Sequence, residues 1–448
     1  MKTLQNTLKT ISILSLLLFG IIQSNAQNWS AIGGGTGWLY ALGEYNGELY
    51  AGGNFGIKKW DGSSWVDLGS GVNGRVSALC AYQNKLYVGG MFTNAGGVPV
   101  SFIASWNGTI WEDPEGGTNS YVSALTVYNG KLIVGGYFTD ANGPANHIAS
   151  WDTHNWAPLG AGTGGSQGQV MALTVWNNKL IAAGFFSTAG GMSAGRIAQW
   201  DGTNWSALGS GISGVVYTLA VYNNDLIAGG LFNTAGGLSA NDLARWDGST
   251  WYALGSGCSG GTYPYVFGLA VYGNDLYVAG TYAIAGGLAC NGISKWNGTS
   301  FSSMGSGYCC GNYSGANAAM IFNDQLITGG IFGTVNGVNA TNIAKCDLVM
   351  TGTHNNSNTS PDGFKLYQNY PNPFNPSTKI KMQIAKQDNV NLTVYNELGK
   401  EVAVLVNKQM NPGTYEIDWN AANMASGVYF YKLKAGDYTE IHRMVLMK

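Results

Sequence analysis

Charge is scarce in this chain: of 448 residues, 22 are basic and 24 acidic, 10% of the total, where a soluble domain averages about a quarter. So little charge, beside 12% aromatic residues, excludes a disordered chain, which needs the opposite balance. A net charge of −2 gives no sign of the basic face that nucleic acid requires, and no nucleic-acid partner is expected. Proline numbers only 10 and glycine has no three-residue period, which excludes a collagen-like helix. Beyond the first residues, no apolar run approaches the ~20 residues of a membrane helix, so no transmembrane segment is expected in the mature chain. Histidine numbers only 4. His147, His154, His354 and His442 are too scattered for a metal-binding pair or a Ser-His-Asp set, so neither a metal nor a cofactor is expected.

Glycine, at 68 residues, and 55 aromatic side chains fill the space instead, the composition of a large, turn-rich, all-β protein. They are unevenly placed. Residues 1–26 set Lys2 and Lys9 before the apolar run Ile11 to Ile22 and the small-residue site Ser24-Asn25-Ala26, a secretory signal peptide. Residues 27–350 hold nearly all the glycine and 14 of the 15 tryptophans, whereas 363–448 are lysine-rich and glycine-poor. Residues 351–362 between them are polar and without apolar periodicity, a linker.

The middle region repeats itself, and repeats take precedence over local readings. Leu-x-x-Gly-Gly-x-Phe starts at Leu49, Leu86, Leu132, Leu226 and Leu326, with looser copies at Leu180 and Leu276. A second marker, Trp-Asp/Asn-Gly-x-x-Trp, occurs as Trp60/Trp65, Trp106/Trp111, Trp200/Trp205 and Trp246/Trp251, and in altered form as Trp151/Trp156 and Trp296/Phe301. Seven copies of the first face six of the second. The missing pair is divided between the chain ends, Cys346-Asp347 supplying its first half and Asn28-Trp29-Ser30 its second. Each unit reads as four short strands joined by Asn/Gly turns that accept a primed hairpin. A circle of such units closed by both chain ends is a seven-bladed β-propeller, which leaves no open sheet edge. The doublet Gly89-Gly90 and its equivalents are expected to let Trp106 or Trp111 lie against bare backbone. With its Gly-Gly doublet and a Trp about 16 residues later, residues 28–348 resemble the kelch-type propellers, although their Tyr and Trp fall at other spacings.

Long connections follow the second strand at 93–100, 139–146, 187–195, 233–241 and 283–291 and the fourth strand at 162–169, 257–265 and 307–316, the first unit lacking its insertion, so the face carrying them is the expected binding face. Trp38, Tyr121, Tyr263, Tyr265, Tyr308 and Tyr313 are placed there as ligand-binding candidates, suited to a glycan or protein ligand through flat rings among Asn and Ser. The alternative is a polysaccharide hydrolase or lyase using the cluster Glu112, Asp113 and Glu115; without a catalytic set elsewhere, a non-catalytic binding or adhesion role is expected. In an exported protein a disulfide is expected between Cys258 and Cys309 or Cys310, or as a vicinal bridge between the last two.

The tail alternates like a small β-sandwich, with strands at 379–384, 390–396, 401–406, 413–419, 427–435 and 442–447. Its opening Tyr370-Pro371-Asn372-Pro373-Phe374-Asn375-Pro376, the later Gly427 within Ser-Gly-Val-Tyr-Phe, and the terminal Lys448 closely resemble the C-terminal sorting domain of the type IX secretion system. That resemblance implies export to the extracellular space or the outer-membrane surface, handling by the secretion machinery and its sorting protease near the linker, and release or attachment to a surface polysaccharide anchor.

Overall fold

Strands with alternating or continuous burial dominate the computed structural model. It describes residues 27–348, 354–355 and 363–447, apart from 166, 262, 311–313, 411, 422 and 423; the expected leader at 1–26, Tyr313 and Lys448 lie outside the described residues. Among these residues there is no helix.

Seven four-stranded antiparallel sheets are formed by the described residues up to 348, six of them paired in chain order. Their innermost strands are Leu39–Tyr45, Arg75–Tyr82, Val122–Tyr128, Gln169–Trp176, Val215–Tyr222, Val266–Tyr272 and Gly315–Phe322. Each innermost strand packs on the next, and the seventh returns to the first. The seventh sheet takes its outer strand from the other end of the chain: Trp29 pairs with Cys346 and Ala31 with Ala344. The tryptophan pair split between the chain ends is thus reunited in one sheet.

Two sets of hydrogen bonds bind neighbouring sheets, one toward each face. In the first, the second aromatic of each Trp pair donates its indole N–H to a carbonyl leaving the preceding sheet: Trp65 to Ile32, Trp111 to Leu68, Trp156 to Pro114, Trp205 to Leu159, Trp251 to Leu208. Trp29 completes the series on Met304, while Phe301 has no N–H to give. In the second, the last residue of an innermost strand reaches the hairpin of the next sheet: Tyr45 to the Asn84 carbonyl, Tyr82 to Gly130, Trp176 to Asn224, Tyr222 to Asn274. These groups would otherwise be buried donors without partners.

The glycine doublets do something other than cradle tryptophan. Their first position faces the next sheet: a Cβ on Gly135 would lie 2.6 Å from Val170 Cγ1, one on Gly229 2.5 Å from Val266 Cγ1, and one on Gly89 would collide with Val122. The first position is alanine in two sheets: Ala279 shares a core with Ala316 of the next sheet, and Ala183 with Val216. The second position is glycine in all seven sheets, and there a Cβ would strike backbone: Gly90 meets the Arg75 carbonyl, Gly230 that of Val215, Gly280 that of Tyr265. The tryptophans pack instead on turn and hairpin glycines such as Gly33, Gly69, Gly160 and Gly236. The expectation that Trp106 or Trp111 lies on Gly89-Gly90 is therefore wrong, because strand pairing turns the doublet toward the neighbouring sheet's valine and its own sheet's innermost strand.

The tail forms two further four-stranded sheets, one with strands Ser377–Ile384 and Gly413–Asn420, the other with Asp388–Asn396, Glu401–Met410, Gly427–Ala435 and Tyr438–Leu446. Ile380, Met382 and Ile417 of the first share one core with Leu392, Val394, Tyr431 and Leu433 of the second. Within the expected linker, His354–Asn355 pairs with Glu416 and Tyr415 of the tail.

Candidate functional site

Each innermost strand carries a β-bulge at the same place, visible as a register shift between Leu39 and Ala41, Val76 and Ala78, Val122 and Ala124, Val170 and Ala172, Val216 and Thr218, Val266 and Gly268, and Ala316 and Ala318. A bulge inserts one unpaired residue and re-aims its side chain. Here the inserted residues are Tyr40, Ser77, Ser123, Met171, Tyr217, Phe267 and Asn317, all half-buried. All but Ser123 line a shared opening of about 230 Å³ between the innermost strands. The second glycine of each doublet leaves room for the bulged backbone beside it, so glycine in one strand accommodates the bulged residue of another.

The residues flanking the bulges are small and apolar except Leu39 and Thr218, whereas the bulged position holds five residue types in seven units. Asn317 donates its amide to the Leu39 carbonyl at 2.9 Å, and Ser123 accepts from Gln169 at 3.3 Å. Aromatic rings gather in two banks, the first of which includes Tyr217 and Phe267 from the lining of the opening. In one, Tyr217 and Phe267 stand 5.0 Å apart, Tyr265 contacts both at 5.8 and 5.3 Å, and Tyr263 stacks on Tyr265 at 5.9 Å. In the other, Tyr121 stacks on Tyr137 at 5.4 Å, and Tyr137 meets His147 at 6.0 Å. Arg75 lies over the Tyr40 ring. Burial pushes the Tyr121 and Tyr217 hydroxyls above, and the His147 imidazole below, their ordinary values.

Of the aromatic candidates, Tyr121, Tyr263 and Tyr265 belong to these banks. Trp38 is 51% exposed beside the first sheet's short turn, where Asn54 N–H donates to the Trp38 carbonyl. Tyr308 is a correction: it is buried against Phe332 at 4.7 Å, because it holds the inward position of a short strand paired with Val335. The bulged residues Tyr40, Met171, Tyr217, Phe267 and Asn317 were not singled out from sequence. Their signal is the contrast, within the aligned repeats, between one variable position and its uniform neighbours.

Glu112, Asp113 and Glu115 do not assemble as an acid/base pair. Glu112 is ion-paired with Lys85 and accepts from Asn107 at 2.6 Å; the Lys85 ammonium holds its carboxyl below the usual range. Asp113 accepts the Gly116 N–H of its own turn. The recurring Asp61, Asp201 and Asp247, with Asn107 and Asn297, accept turn N–H groups, the local role their sequence position indicates. None of the six cysteines is bonded in the structure, so neither expected bridge, Cys258 to Cys309 or Cys310 or the vicinal one between the last two, is formed there. Cys258 is fully buried beside Cys290, while Cys309 and Cys310 are exposed.

One carboxylate stands apart. Asp242 is buried, in a left-handed conformation (φ 62°), and accepts the Phe232 N–H at 2.8 Å. Burial pushes its pKa up to about 7. An unfolded aspartate titrates near ~3.9, so the stability this group contributes is complete below that pH, falls as pH rises toward 7, and changes little above it. Asn342 makes the same bond to Phe332 at 3.1 Å without titrating. Asp242→Asn should therefore be stabilising at pH 8 and not at pH 4, a difference on the order of 3 kcal/mol, read as a gap in Tm that opens with pH; a pH-independent gap would contradict it.

In the tail, the opening motif is zipped to the last strand. Phe374 N–H donates to the Val445 carbonyl at 2.9 Å, Met447 N–H to the Phe374 carbonyl at 3.0 Å, and Val445 N–H to Asn372 Oδ1 at 2.9 Å. The Phe374 ring is buried against Trp419 at 5.5 Å, and Trp419 against Tyr429 at 5.5 Å. Just before the motif, buried Asn369 donates to the Pro371 carbonyl and Thr378 hydroxyl, and takes the Tyr431 hydroxyl on its N–H. Gly427 pairs with Leu446, so the motif residues converge on one terminal strand.

Residues 368–447 match the secretion system C-terminal sorting domain family. The sorting domain implies export by the type IX secretion system and a secreted or cell-surface protein. Residues 129–149 match a β-propeller domain of unknown function, DUF5122, in keeping with the propeller-like arrangement of small antiparallel sheets. No curated protein matches the chain in sequence. Similar solved structures include the computationally designed Ika8 protein, at 17% identity over 71% of this chain and 100% of that one with a TM-score of 0.42. Another is PorZ, a surface component of the type IX secretion system of Porphyromonas gingivalis, at 12% identity over 92% of this chain and 66% of that one with a TM-score of 0.38. Among the described residues no helix is long and apolar enough to cross a membrane.

Proposed function

We propose that residues 27–350 are a seven-bladed, kelch-like β-propeller that binds a glycan at the mouth of its central opening, without catalysis, on the outside of the cell. In this reading residues 1–26 are the leader to the first membrane, 351–362 the linker cut by the sorting protease, and 363–448 a β-sandwich that serves as an address. The mature protein is then released or held by a surface polysaccharide anchor.

The variable ring of bulged residues on a uniform scaffold is the observation that carries the proposal. A scaffold that repeats seven times has no packing reason to hold Tyr, Ser, Ser, Met, Tyr, Phe and Asn at one aligned position. The opening is smaller than the ~300–1,000 Å³ of a pocket that engulfs a small ligand, so it suits the end or one residue of a polymer whose remainder lies across the face. Flanking it are ring faces for sugar C–H groups, with Asn and Ser as hydroxyl partners and little charge.

A glycan array probed with the purified protein, followed by chromatography of the bound polymers, tests this. Retention of a glycan with its length unchanged is expected. Shortened polymer would favour a hydrolase or lyase, and binding confined to a protein would replace the ligand class.

A further inference from the structure

Three connections on the loop face are built alike. Thr163–Gly164, Cys258–Ser259 and Tyr308–Cys309 each form a two-residue strand against the next sheet's hairpin, pairing with Ala189 and Thr188, Ala285 and Ile284, and Val335 and Thr334. The first residue of each is buried and points inward: Thr163, Cys258, Tyr308. The residue after each strand turns left-handed: Gly165 at φ 82°, Gly260 at φ 73° and Cys310 at φ 71°. Two of the three loops thus use glycine where the backbone demands it, and the third places a cysteine in a conformation that side chains disfavour.

A second, separate observation concerns what that cysteine touches. Cys310 Sγ lies 2.9 Å from Cys309 Sγ, with the Thr334 hydroxyl at 3.8 Å. The Gly333 N–H fixes the Cys309 carbonyl at 3.0 Å. These are the two exposed cysteines of six; Cys258, Cys290 and Cys346 are buried and Cys80 is half-buried, and burial raises the Cys80 and Cys290 thiols to about 11. An exported protein also passes through oxidising surroundings.

We propose that Cys309 and Cys310 close a vicinal disulfide in the exported protein and form a reversible redox element on its loop face. The hydrogen bond between the two sulfurs couples the two thiols, so either can be the attacking thiolate and its neighbour the resolving one. One of the two thiolates attacks a protein or small-molecule disulfide of the exporting compartment and forms a mixed disulfide. The neighbouring thiol then displaces the oxidant's sulfur from it, losing its proton. One S–S bond forms between the neighbours, and the oxidant's S–S bond becomes two thiols that take up the two electrons and two protons. Closure needs the sulfurs to approach from 2.9 Å to about 2.05 Å.

The test is peptide mass mapping of the full chain recovered after export, alkylated in denaturant without reductant. The expected peptide containing Cys309 and Cys310 is unalkylated and lighter by two hydrogens, and takes two alkyl groups only after reduction, while the other four cysteines alkylate directly. Direct alkylation of both neighbours, or pairing of either with Cys258, overturns the proposal. Cys310→Gly is the control that still folds, because glycine occupies that position in the equivalent loops. It should keep the wild-type Tm and leave Cys309 open to direct alkylation. A second arm treats reduced protein with glutathione disulfide: an internal bond without retained glutathione supports the proposal, and two stable glutathione adducts contradict it.

Discussion

Gly89→Ala is expected to destabilise the ring by about 2 kcal/mol, within the ~1–3 kcal/mol of overpacking, and Val122→Ala in the same chain to return part of that loss. The added methyl would collide with Val122 of the next sheet, a side chain that can be trimmed. The double variant should be more stable than the sum of the single losses by at least ~1 kcal/mol, measured as urea midpoints at constant m-value. Gly90→Ala should cost more than Gly89→Ala and resist rescue, since its methyl meets the Arg75 carbonyl, which no substitution removes. Equal losses at the two positions, or strict additivity of Gly89→Ala with Val122→Ala, would contradict this division of labour within the doublet.

Phe374→Ala should abolish export while the ring still folds. Truncating a buried phenylalanine costs about 3–5 kcal/mol, a large part of the ~5–15 kcal/mol that holds a domain together. Phe374 also packs on Trp419 and joins the opening motif to the terminal strand. The expected result is retention in the periplasm, matching deletion of residues 363–448. Tyr370→Ala is the informative comparison, because Tyr370 is 80% exposed and its loss should leave tail stability unchanged. Any export defect in that variant reports contact with the machinery. Surface export of Phe374→Ala at wild-type level would refute a sorting role for the folded tail.

Both glycine doublets and Trp pairs are legible as repeats, and their count and the split pair at the chain ends anticipate the closure that Trp29 and Cys346 make. What each repeat touches was not legible, because a doublet in one strand does not name its neighbours in the next sheet. That is why Gly89 was assigned to tryptophan and belongs to Val122. Tyr308 was misplaced for a related reason: in a strand of two residues, a shift of one reverses which side chain faces inward. The bulges leave no mark on local composition, so Tyr217 and Phe267 read as ordinary strand residues until the register separates them from their neighbours. The sorting tail was the most legible part, since its motif is contiguous in sequence and its strands were located within a few residues of those observed.

The most direct test of the account is the affinity of the array-selected glycan for Tyr217→Ser/Phe267→Ser. Both substitutions install the residue that Ser77 and Ser123 already place at the same bulged position, so the fold is preserved. Tyr252→Ser is the matched control, an exposed ring on an outermost strand that stacks on Arg245 at 4.5 Å, away from the opening. Loss of about 2 kcal/mol per aromatic anchor corresponds to roughly 30-fold each. The account predicts that the double variant loses binding by at least ~100-fold with an unchanged Tm, while Tyr252→Ser binds as wild type; undiminished binding by the double variant would contradict it.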